Sequence, residues 1–388
     1  MPAAPTSSKL KSCTNICLFV VFMAFLWLPT LDTFLHFDHS RIPGENRLPA
    51  EFPKIKPGSG GLKGFFTGLE DYFNDHFGFR KLLIWSYRGC TFHIFHDEKG
   101  HEAVIAGNEG WLYFNENQMV EHYRGTLLFT PDQLQDWKAL LEHYRDSLAQ
   151  RGIKFLFVVV PDKQSIYPEY LPSWMNKVSP ETKLDQFFAY MKTHSTVDAL
   201  DVRQTLLEGR AMGPMYLKTD THWNQLGAFL AYQKLVEELA VQHLPKARPM
   251  PLDAFERTNM PAPPGDLTAM AGVDSMESNA VFFRPKPPAQ PLNAIPQPNI
   301  SGTPYATRNP NAWGTAIVYG DSFVNNWVPF LGYNFGQVYY CKNNFLASNF
   351  LDTNLLEQQR PAVVIIEVVE RYFNVVKPKD LLAEEKLK

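Results

Sequence analysis

The chain has 388 residues, of which 45% are hydrophobic and 20% are charged, a composition typical of a globular protein with a buried core. Its formal net charge of -3 lacks the basic surplus of a nucleic-acid binder, so we expect no nucleic-acid partner. No phosphate-binding loop of the GxxxxGK[ST] type is present. No motif in the sequence implies a cofactor or a metal.

The N-terminus carries an apolar run with the length of a membrane anchor. Lys9 and Lys11 precede this run, which extends from Ile16 to Leu31 and ends at Asp32. Because no small-x-small cleavage site follows it, we interpret the run as an uncleaved signal anchor rather than a cleaved signal peptide. The lysines place the N-terminus in the cytoplasm and the rest of the protein outside it. The predicted segments are a cytoplasmic N-terminus at 1–12, a transmembrane anchor at 13–35, an extended lead-in at 36–60 and one exported domain at 61–388.

The first half of the exported domain alternates between predicted helices and strands. Helical spacing of apolar residues predicts two helices broken near Gly78, and the turn residues at 107–110 predict a β-hairpin. Residues 130–133, TPDQ, form the capping box of a helix that Gly152 is suited to end. The run IKFLFVVV after that helix is typical of a strand buried on both faces of a parallel sheet.

The second half repeats the alternation and adds a proline-rich stretch. TAIVYG, QVYYC and AVVIIEVVE are predicted strands, with helical segments between them. The pattern predicts an α/β fold with a mostly parallel sheet and helices on both faces. Residues 245–310 hold 14 of the 30 prolines, which argues against regular structure and predicts a long, wrapped insertion.

Two short segments carry a candidate nucleophile and its base. Ser322 follows a predicted strand, and reactive groups gather at the carboxyl ends of strands in an open α/β sheet. A serine hydroxyl needs a base to remove its proton; His222 is the candidate, with Asp220 to orient the imidazole. In an extended segment residues i and i+2 point the same way, so Asp220 would reach the His222 ring. Asn224 is expected to cap the next helix.

These segments resemble one known family. GDSF, which contains Ser322, resembles the nucleophile block of the SGNH hydrolases, and TDTHWN upstream of it resembles the alginate O-acetyltransferases of the AlgJ and AlgX type. Other stretches that resemble this family are ENRLPAEFP, YFNDHFGFRKLLI, GNEGWLYF, VVVPDKQSIYPEYLP and IIEVVER. The resemblance extends from about Glu45 to Arg371 and implies an SGNH hydrolase-like, flavodoxin-like fold.

The resemblance also implies an activity and partners. It implies an enzyme of the bacterial periplasm, held in the inner membrane by one span, that moves acetyl groups onto hydroxyls of an exopolysaccharide such as alginate or cellulose. By the family pattern Ser322 is the nucleophile, His222 the base and Asp220 its orienter, with an acetyl-Ser322 intermediate. A multipass membrane-bound O-acyltransferase would supply the acetyl group, alongside other polymer-secretion proteins. Few residues follow the last predicted strand, so the AlgJ type is the closer match.

Further residues are candidates for the same site. The Ser322 backbone N–H and the side chain of Asn325 or Asn326 are candidate oxyanion donors. Asp321 is expected to make local turn hydrogen bonds rather than to orient the histidine. Candidates to line the crevice from the ends of other strands are Lys163, Gln164, Glu367 and Arg371. For Glu367 a structural partner is an equal alternative, because a carboxylate inside an apolar strand needs one.

The residues alone leave several alternatives open. The segment HIFHDEKGH has histidines and an aspartate, but its spacing favours solvated or capping roles over a metal cluster. Four aromatic residues are candidates to stack on sugars, although core packing is the default for each: Trp111, Tyr113, Trp223 and Trp327. Cys90 and Cys341 are either a disulfide or two buried thiols.

Two other functions compete with acetyl transfer. A periplasmic carbohydrate acetylesterase would use the same triad but pass the acetyl group to water. A non-catalytic scaffold would bind the polymer or organise a secretion complex. The anchor favours transfer, because a transferase must stay near a donor embedded in the membrane.

Overall fold

The computed structural model describes residues 7–35, 50–54, 61–80, 82–83, 86–87, 103–262, 264–272, 277–289, 292, 295, 305–342 and 351–385. Cys90, the segment HIFHDEKGH and most of the predicted lead-in lie outside these residues. The chain divides into two compact units, which are Met1–His96 with Ala269–Val273, and Asp97–Thr268 with Asp274–Lys388.

The first unit contains the N-terminal helix α1 (Ser7–Leu35) and helix α2 (Gly61–His76). Within α1, the segment Thr14–Asp32 has 19 residues with a mean hydropathy of 2.0, so it is long and apolar enough to cross a membrane. This helix is compatible with the predicted signal anchor. Helix α2 is the first of the two helices predicted around Gly78, and the second lies largely outside the described residues.

The second unit is built around a mostly parallel sheet. Its strands, in chain order, are β1 (Val104–Ala106), β2 (Leu112–Phe114), β3 (Lys154–Val160), β4 (Ala199–Asp201), β5 (Phe255–Ala262), β6 (Glu277–Pro285), β7 (Tyr305–Arg308), β8 (Thr315–Gly320), β9 (Gln337–Lys342) and β10 (Val363–Val369). Six of them form one sheet in the order β4-β3-β10-β8-β9-β7, in which only β7 is antiparallel to its neighbour. Strands β1 and β2 form the predicted hairpin. The predicted α/β fold is confirmed.

Helices cover both faces of this sheet. Within the described residues, the helices after residue 97 are, in chain order, α3 (Met119–Arg124), α4 (Pro131–Ala149), α5 (Lys163–Ile166), α6 (Lys183–His194), α7 (Arg203–Gly209), α8 (Gln225–Gln242), α9 (Asp266–Ala271), α10 (Val328–Leu331), α11 (Thr353–Gln359) and α12 (Pro378–Glu385). Side chains alternate along β3, so Leu156 and Val158 pack in the core beneath α7 and α8. Phe155 and Phe157 point to the other face and pack with α4, α6 and α11.

Local sequence sets the bounds of several of these elements. The capping box of α4 forms as predicted: Thr130 Oγ1 accepts from the Gln133 N–H at 3.3 Å, and Gln133 Oε1 accepts from the Thr130 N–H at 2.9 Å. Gly152, with a φ of 71°, follows the helix in the left-handed region that favours glycine.

The four aromatic residues considered for sugar stacking are instead buried in the core: Trp111, Tyr113, Trp223 and Trp327.

The prediction that residues 245–310 lack regular structure is wrong for much of that segment. Strands β5 and β6 form a two-stranded antiparallel hairpin, in which Phe255 pairs with Pro285. Among the described strands, β5 and β6 pair with no other, and the register shifts at Pro261, so the missing proline N–H groups interrupt little of the ladder. Phe255 is buried with its ring centroid 5.4 Å from that of Phe229 on α8, which attaches the hairpin to the core.

Candidate active site

Ser322 lies at the carboxyl edge of the sheet, where β8 ends and the 3₁₀ helix Ser322–Trp327 begins. The Asp321 carboxylate fixes this turn, because Oδ1 accepts from the Phe323 N–H at 2.8 Å and Oδ2 accepts from the Val369 N–H at 3.0 Å. The first is the local turn hydrogen bond expected of Asp321. The second ties the residue before Ser322 to the end of β10, so the serine is mounted on the rigid part of the fold.

His222 lies in the loop that leads into α8. The cap of this helix forms as predicted, with Asn224 Oδ1 accepting from the N–H groups of Leu226 at 2.9 Å and Gly227 at 3.0 Å. The loop is bent rather than extended at 218–222. Asp220 Oδ1 reaches the imidazole because it also accepts from the His222 peptide N–H at 2.9 Å, which closes a turn around the pair.

The structure brings Ser322, His222 and Asp220 into one hydrogen-bonded array. His222 Nε2 lies 2.6 Å from Ser322 Oγ, and His222 Nδ1 lies 2.6 Å from Asp220 Oδ1. An ionised aspartate only accepts hydrogen bonds, so the Nδ1 proton points to Asp220 and Nε2 is left to accept from the serine hydroxyl. The arrangement is that of a nucleophile, a base and a group that orients the base.

The electrostatics of the site raise the pKa of His222 and lower the pKa of Asp220. Burial lowers the pKa of His222, but the hydrogen bond and charge of Asp220, with the nearby charge of Asp266, outweigh it and raise the pKa above its usual value. Burial raises the pKa of Asp220, and its hydrogen bonds with His222 outweigh this and lower it. These carboxylates would therefore stabilise a positive charge on the His222 imidazole.

Two hydrogen bonds join the serine segment to the histidine segment. Trp223 Nε1 donates to the Phe323 carbonyl at 3.1 Å, and Asn326 Nδ2 donates to the Trp223 carbonyl at 3.0 Å. The Phe323 ring also lies against the imidazole, with 4.9 Å between the His222 and Phe323 ring centroids. The neighbours of Ser322 and His222 thus hold these two residues, 100 positions apart in the sequence, next to each other.

Lys163 supports the histidine loop from below. Its side chain is buried, and Nζ donates to the carbonyl oxygens of Leu217 at 2.9 Å, Lys218 at 3.0 Å and Asp220 at 2.7 Å. Lys163 is not among the residues that line the cavity at Ser322. Its placement at the end of β3 was evident from the sequence, but its partners are backbone atoms, which no side-chain motif reveals.

Arg371 and Glu367 are likewise buried beneath the site. The Arg371 guanidinium is hydrogen-bonded to Asp162, and its centre lies 5.5 Å from the Phe323 ring centroid, so it supports the ring that contacts the imidazole. Glu367 Oε2 accepts from the Asp321 N–H at 3.1 Å, and burial raises the pKa of Glu367 well above its usual value. Both residues stabilise the turn that carries the serine, and neither lines the cavity.

A cavity of about 250 Å³ opens at Ser322. Asn325 and Asn326, both predicted candidates, line it, and the β5–β6 hairpin adds Val281 and Phe282 to its wall. Gln164 lines a different cavity of about 380 Å³ with Asp201 and Arg203. The proline-rich insertion therefore contributes side chains to the wall of the cavity at Ser322.

Asp266, which the sequence did not single out, brings a second carboxylate to the histidine. One ligand atom from each of Asp220, His222 and Asp266 lies within 4.8 Å of the others, a grouping that a metal ion can use. Hydrogen bonds already engage these atoms, since Asp220 Oδ1 binds His222 Nδ1 and both Asp266 oxygens accept from Thr221. The donor set fits the orientation of a base better than the binding of a metal.

The sheet order, the serine at the carboxyl end of β8 and the Asp-His pair before α8 define an SGNH hydrolase-like protein. The family model described as "SGNH hydrolase-like domain, acetyltransferase AlgX" matches residues 104–370, well over half of the chain. The chain belongs to this family, as its motifs predicted.

The chain is also similar to curated relatives, and its fold is similar to that of a solved structure. The chain is 29% identical to the probable alginate O-acetylase AlgJ of Pseudomonas putida over 212 residues, which are 54% of this chain and 52% of that protein. It is 27% identical to the AlgJ protein of Pseudomonas aeruginosa over 180 residues, 45% of this chain and 42% of that protein. The chain thus spans about half the length of the curated relatives it matches. Bacillus cereus PatB1 shares the fold, with a TM-score of 0.51, 16% identity, and coverage of 71% of this chain and 98% of that chain.

Proposed function

We propose that this protein is a membrane-anchored periplasmic O-acetyltransferase that modifies hydroxyls of an exopolysaccharide through an acetyl-Ser322 intermediate. The observation that carries the proposal is the array in which His222 Nε2 lies 2.6 Å from Ser322 Oγ while Asp220 holds the other ring nitrogen. A serine in this setting is an activated nucleophile. The family and the names of the AlgJ relatives support acetyl transfer as the reaction.

The reaction proceeds in two half-reactions. In the first, His222 takes the Ser322 proton while Oγ attacks the acetyl carbonyl; the bond to the leaving group breaks, and the leaving group takes the proton. In the second, His222 takes a proton from a sugar hydroxyl, whose oxygen attacks the acetyl-serine. The bond from Ser322 Oγ to the acetyl carbon breaks, and Oγ regains its proton. Asp220 stabilises the imidazolium in both steps.

The oxyanion of each tetrahedral intermediate needs hydrogen-bond donors. We assign the backbone N–H of Ser322 and the side-chain amide of Asn325 to this role. The Asn325 side chain is exposed and lines the cavity, and its amide makes no hydrogen bond to the part of the chain that the structure describes. The Asn326 amide, in contrast, already donates to the Trp223 carbonyl.

Transfer to a sugar, rather than hydrolysis, is supported by the N-terminal helix. A helix that crosses the inner membrane would keep the periplasmic domain beside a membrane-bound acetyl donor. We assign that donor role to a multipass membrane-bound O-acyltransferase, with other polymer-secretion proteins as neighbours. The relatives are named for alginate, and alginate or cellulose is the acceptor class we propose.

The covalent step is tested on the full chain in detergent. The protein and its Ser322→Ala variant are incubated with p-nitrophenyl acetate, and intact mass and p-nitrophenol release are recorded in the same sample. We expect one acetyl group, or Ser322-dependent release where turnover is fast. Equal acetylation and equal release by the two proteins would refute the proposal.

The acceptor is tested with a labelled acetyl donor and oligosaccharides of mannuronate or glucose. Label on the oligosaccharide supports transfer. Label found only as free acetate, at a rate that the oligosaccharides do not change, identifies an acetylesterase instead.

A further inference from the structure

The proline-rich insertion contributes a carboxylate to the loop that carries the base. Asp266 Oδ1 accepts from the Thr221 peptide N–H at 2.7 Å, and Asp266 Oδ2 accepts from the Thr221 hydroxyl at 2.5 Å. Thr221 is buried and lies between Asp220 and His222. The carboxylate therefore holds the residue that joins the two members of the Asp-His pair.

The backbone of the insertion at Gly265 and Asp266 lies directly against the loop at Thr219 and Asp220. The Asp266 N–H donates to Asp220 Oδ2 at 3.3 Å, so Asp220 is held from the insertion as well as from His222. A Cβ atom on the neighbouring Gly265 would lie 2.2 Å from the Thr219 carbonyl oxygen. Glycine is required at this position because any side chain would push the insertion away from the loop.

Asp266 also adds charge beside the imidazole. Its Oδ2 lies 3.8 Å from His222 Nδ1, on the side where the hydrogen bond to Asp220 is made. The other titratable and charged groups that act on the imidazole are Asp220, the buried Asp321 beside Ser322, and Arg371, which lies near the Phe323 ring. Asp220 and Asp266 are the carboxylates that lie on the Nδ1 side of the ring.

We infer that Asp266 is a positioning residue for the Ser322–His222–Asp220 array, through which the proline-rich insertion sets both the geometry and the charge of the base. The inference rests on the proposed function. It gives the insertion a role in catalysis beyond lining the cavity. It also gives a reason for the close contact of this segment with the loop, which is made by the buried Gly265 and by both carboxylate oxygens of Asp266.

The test compares two variants at this position with a matched control. Asp266→Ala removes both acceptors, and Asp266→Asn keeps the shape and one oxygen acceptor but removes the charge. Asp253→Asn makes the same charge change at an exposed position of the same insertion. For each full-length protein, kcat and KM for p-nitrophenyl acetate are measured across pH, with Ser322→Ala as the blank, and thermal unfolding reports folding.

We expect kcat to fall by about tenfold or more in Asp266→Ala, because small misplacements of catalytic groups reduce rates strongly. In Asp266→Asn we expect a smaller fall in kcat, together with a shift of the rising limb of the pH–rate profile to lower pH. Removal of a carboxylate destabilises the imidazolium, so the pKa of His222 falls. Asp253→Asn should match the parent in both readouts.

Two results would overturn the inference. Asp266 variants that match Asp253→Asn in kcat and in pH profile would show that the contact is dispensable. A fall in kcat with no shift of the limb in Asp266→Asn would mark a purely structural contact. If Asp266→Ala fails to fold, Asp266→Asn alone decides. If Ser322→Ala keeps the parent rate, the proposed function fails, whatever Asp266 does.

Discussion

Replacing Lys163 with methionine removes the ammonium group that holds the histidine loop while keeping a long, apolar side chain in its place. In the parent, Nζ donates to three carbonyl oxygens, those of Leu217, Lys218 and Asp220, at 2.7–3.0 Å. In Lys163→Met these carbonyls lose a charged donor. The loop that carries Asp220 and His222 then loses one of the contacts that hold it beside Ser322.

The magnitude follows from the hydrogen bonds. A hydrogen bond to a charged group contributes about 1.5–3 kcal/mol to stability. The three bonds are not additive, because they share one ammonium group whose burial has its own desolvation cost. We therefore expect Lys163→Met to lower the free energy of unfolding by about 3 kcal/mol. A shift of about 1 Å in a catalytic group lowers a rate by roughly 100-fold, and we expect a fall in kcat of that order.

The assay pairs denaturant unfolding, followed by tryptophan fluorescence, with p-nitrophenyl acetate turnover. Lys154→Met is the matched control, because Lys154 is exposed at the start of β3, the strand that Lys163 follows. If Lys163→Met unfolds at the same denaturant concentration as the control and turns over at the parent rate, the three carbonyl contacts contribute nothing and the reasoning is refuted.

Other predictions follow from the same geometry. Activity should rise with pH as His222 loses its proton, and because the pKa of His222 is raised, the midpoint should lie above the value of about 6.5 for an unperturbed histidine. Asp220→Asn should lower kcat by about 10³–10⁴-fold and move this midpoint to lower pH, measured as a pH–rate profile; an unchanged kcat would contradict the orienting role. Asn224→Ala should reduce the unfolding free energy by about 1 kcal/mol through loss of the α8 cap, measured by denaturant unfolding, and an unchanged midpoint would refute it.

The main sheet could be predicted because its central strands are buried on both faces. Continuous apolar runs such as IKFLFVVV and AVVIIEVVE arise where neither side of a strand meets solvent, and they mark β3 and β10. The N-termini of α4 and α8 could be predicted equally well, because Thr130 and Asn224 cap these helices through hydrogen bonds to residues two or three positions further on. Strand β4, with three residues, is too short to produce such a pattern.

The hairpin of the insertion could not be predicted from composition. Prolines disfavour a strand inside a sheet, but in the part of the chain that the structure describes β5 and β6 pair with no other strand, so Pro261 and Pro285 leave few ladder bonds unmade. What fixes the hairpin is the packing of Phe255 on Phe229, a contact between residues far apart in the sequence. A high proline content shows that strands are disfavoured in this segment. It does not show whether packing against distant residues, here Phe255 on Phe229, stabilises them nevertheless.

The hydrogen bonds by which Lys163 and Asp266 hold the loop at 218–222 escaped prediction for a related reason. Bending the loop at 218–222 brings Asp220 to the imidazole, but it also leaves backbone groups without partners in a sheet or helix, and buried backbone groups must be paired. Carbonyl oxygens need a donor, which Lys163 supplies, and the Thr221 N–H needs an acceptor, which Asp266 supplies. The sign of each charge therefore follows from the polarity of the backbone group it meets. Because the two residues come from segments more than 40 positions away on either side, only the folded chain reveals that they support one loop.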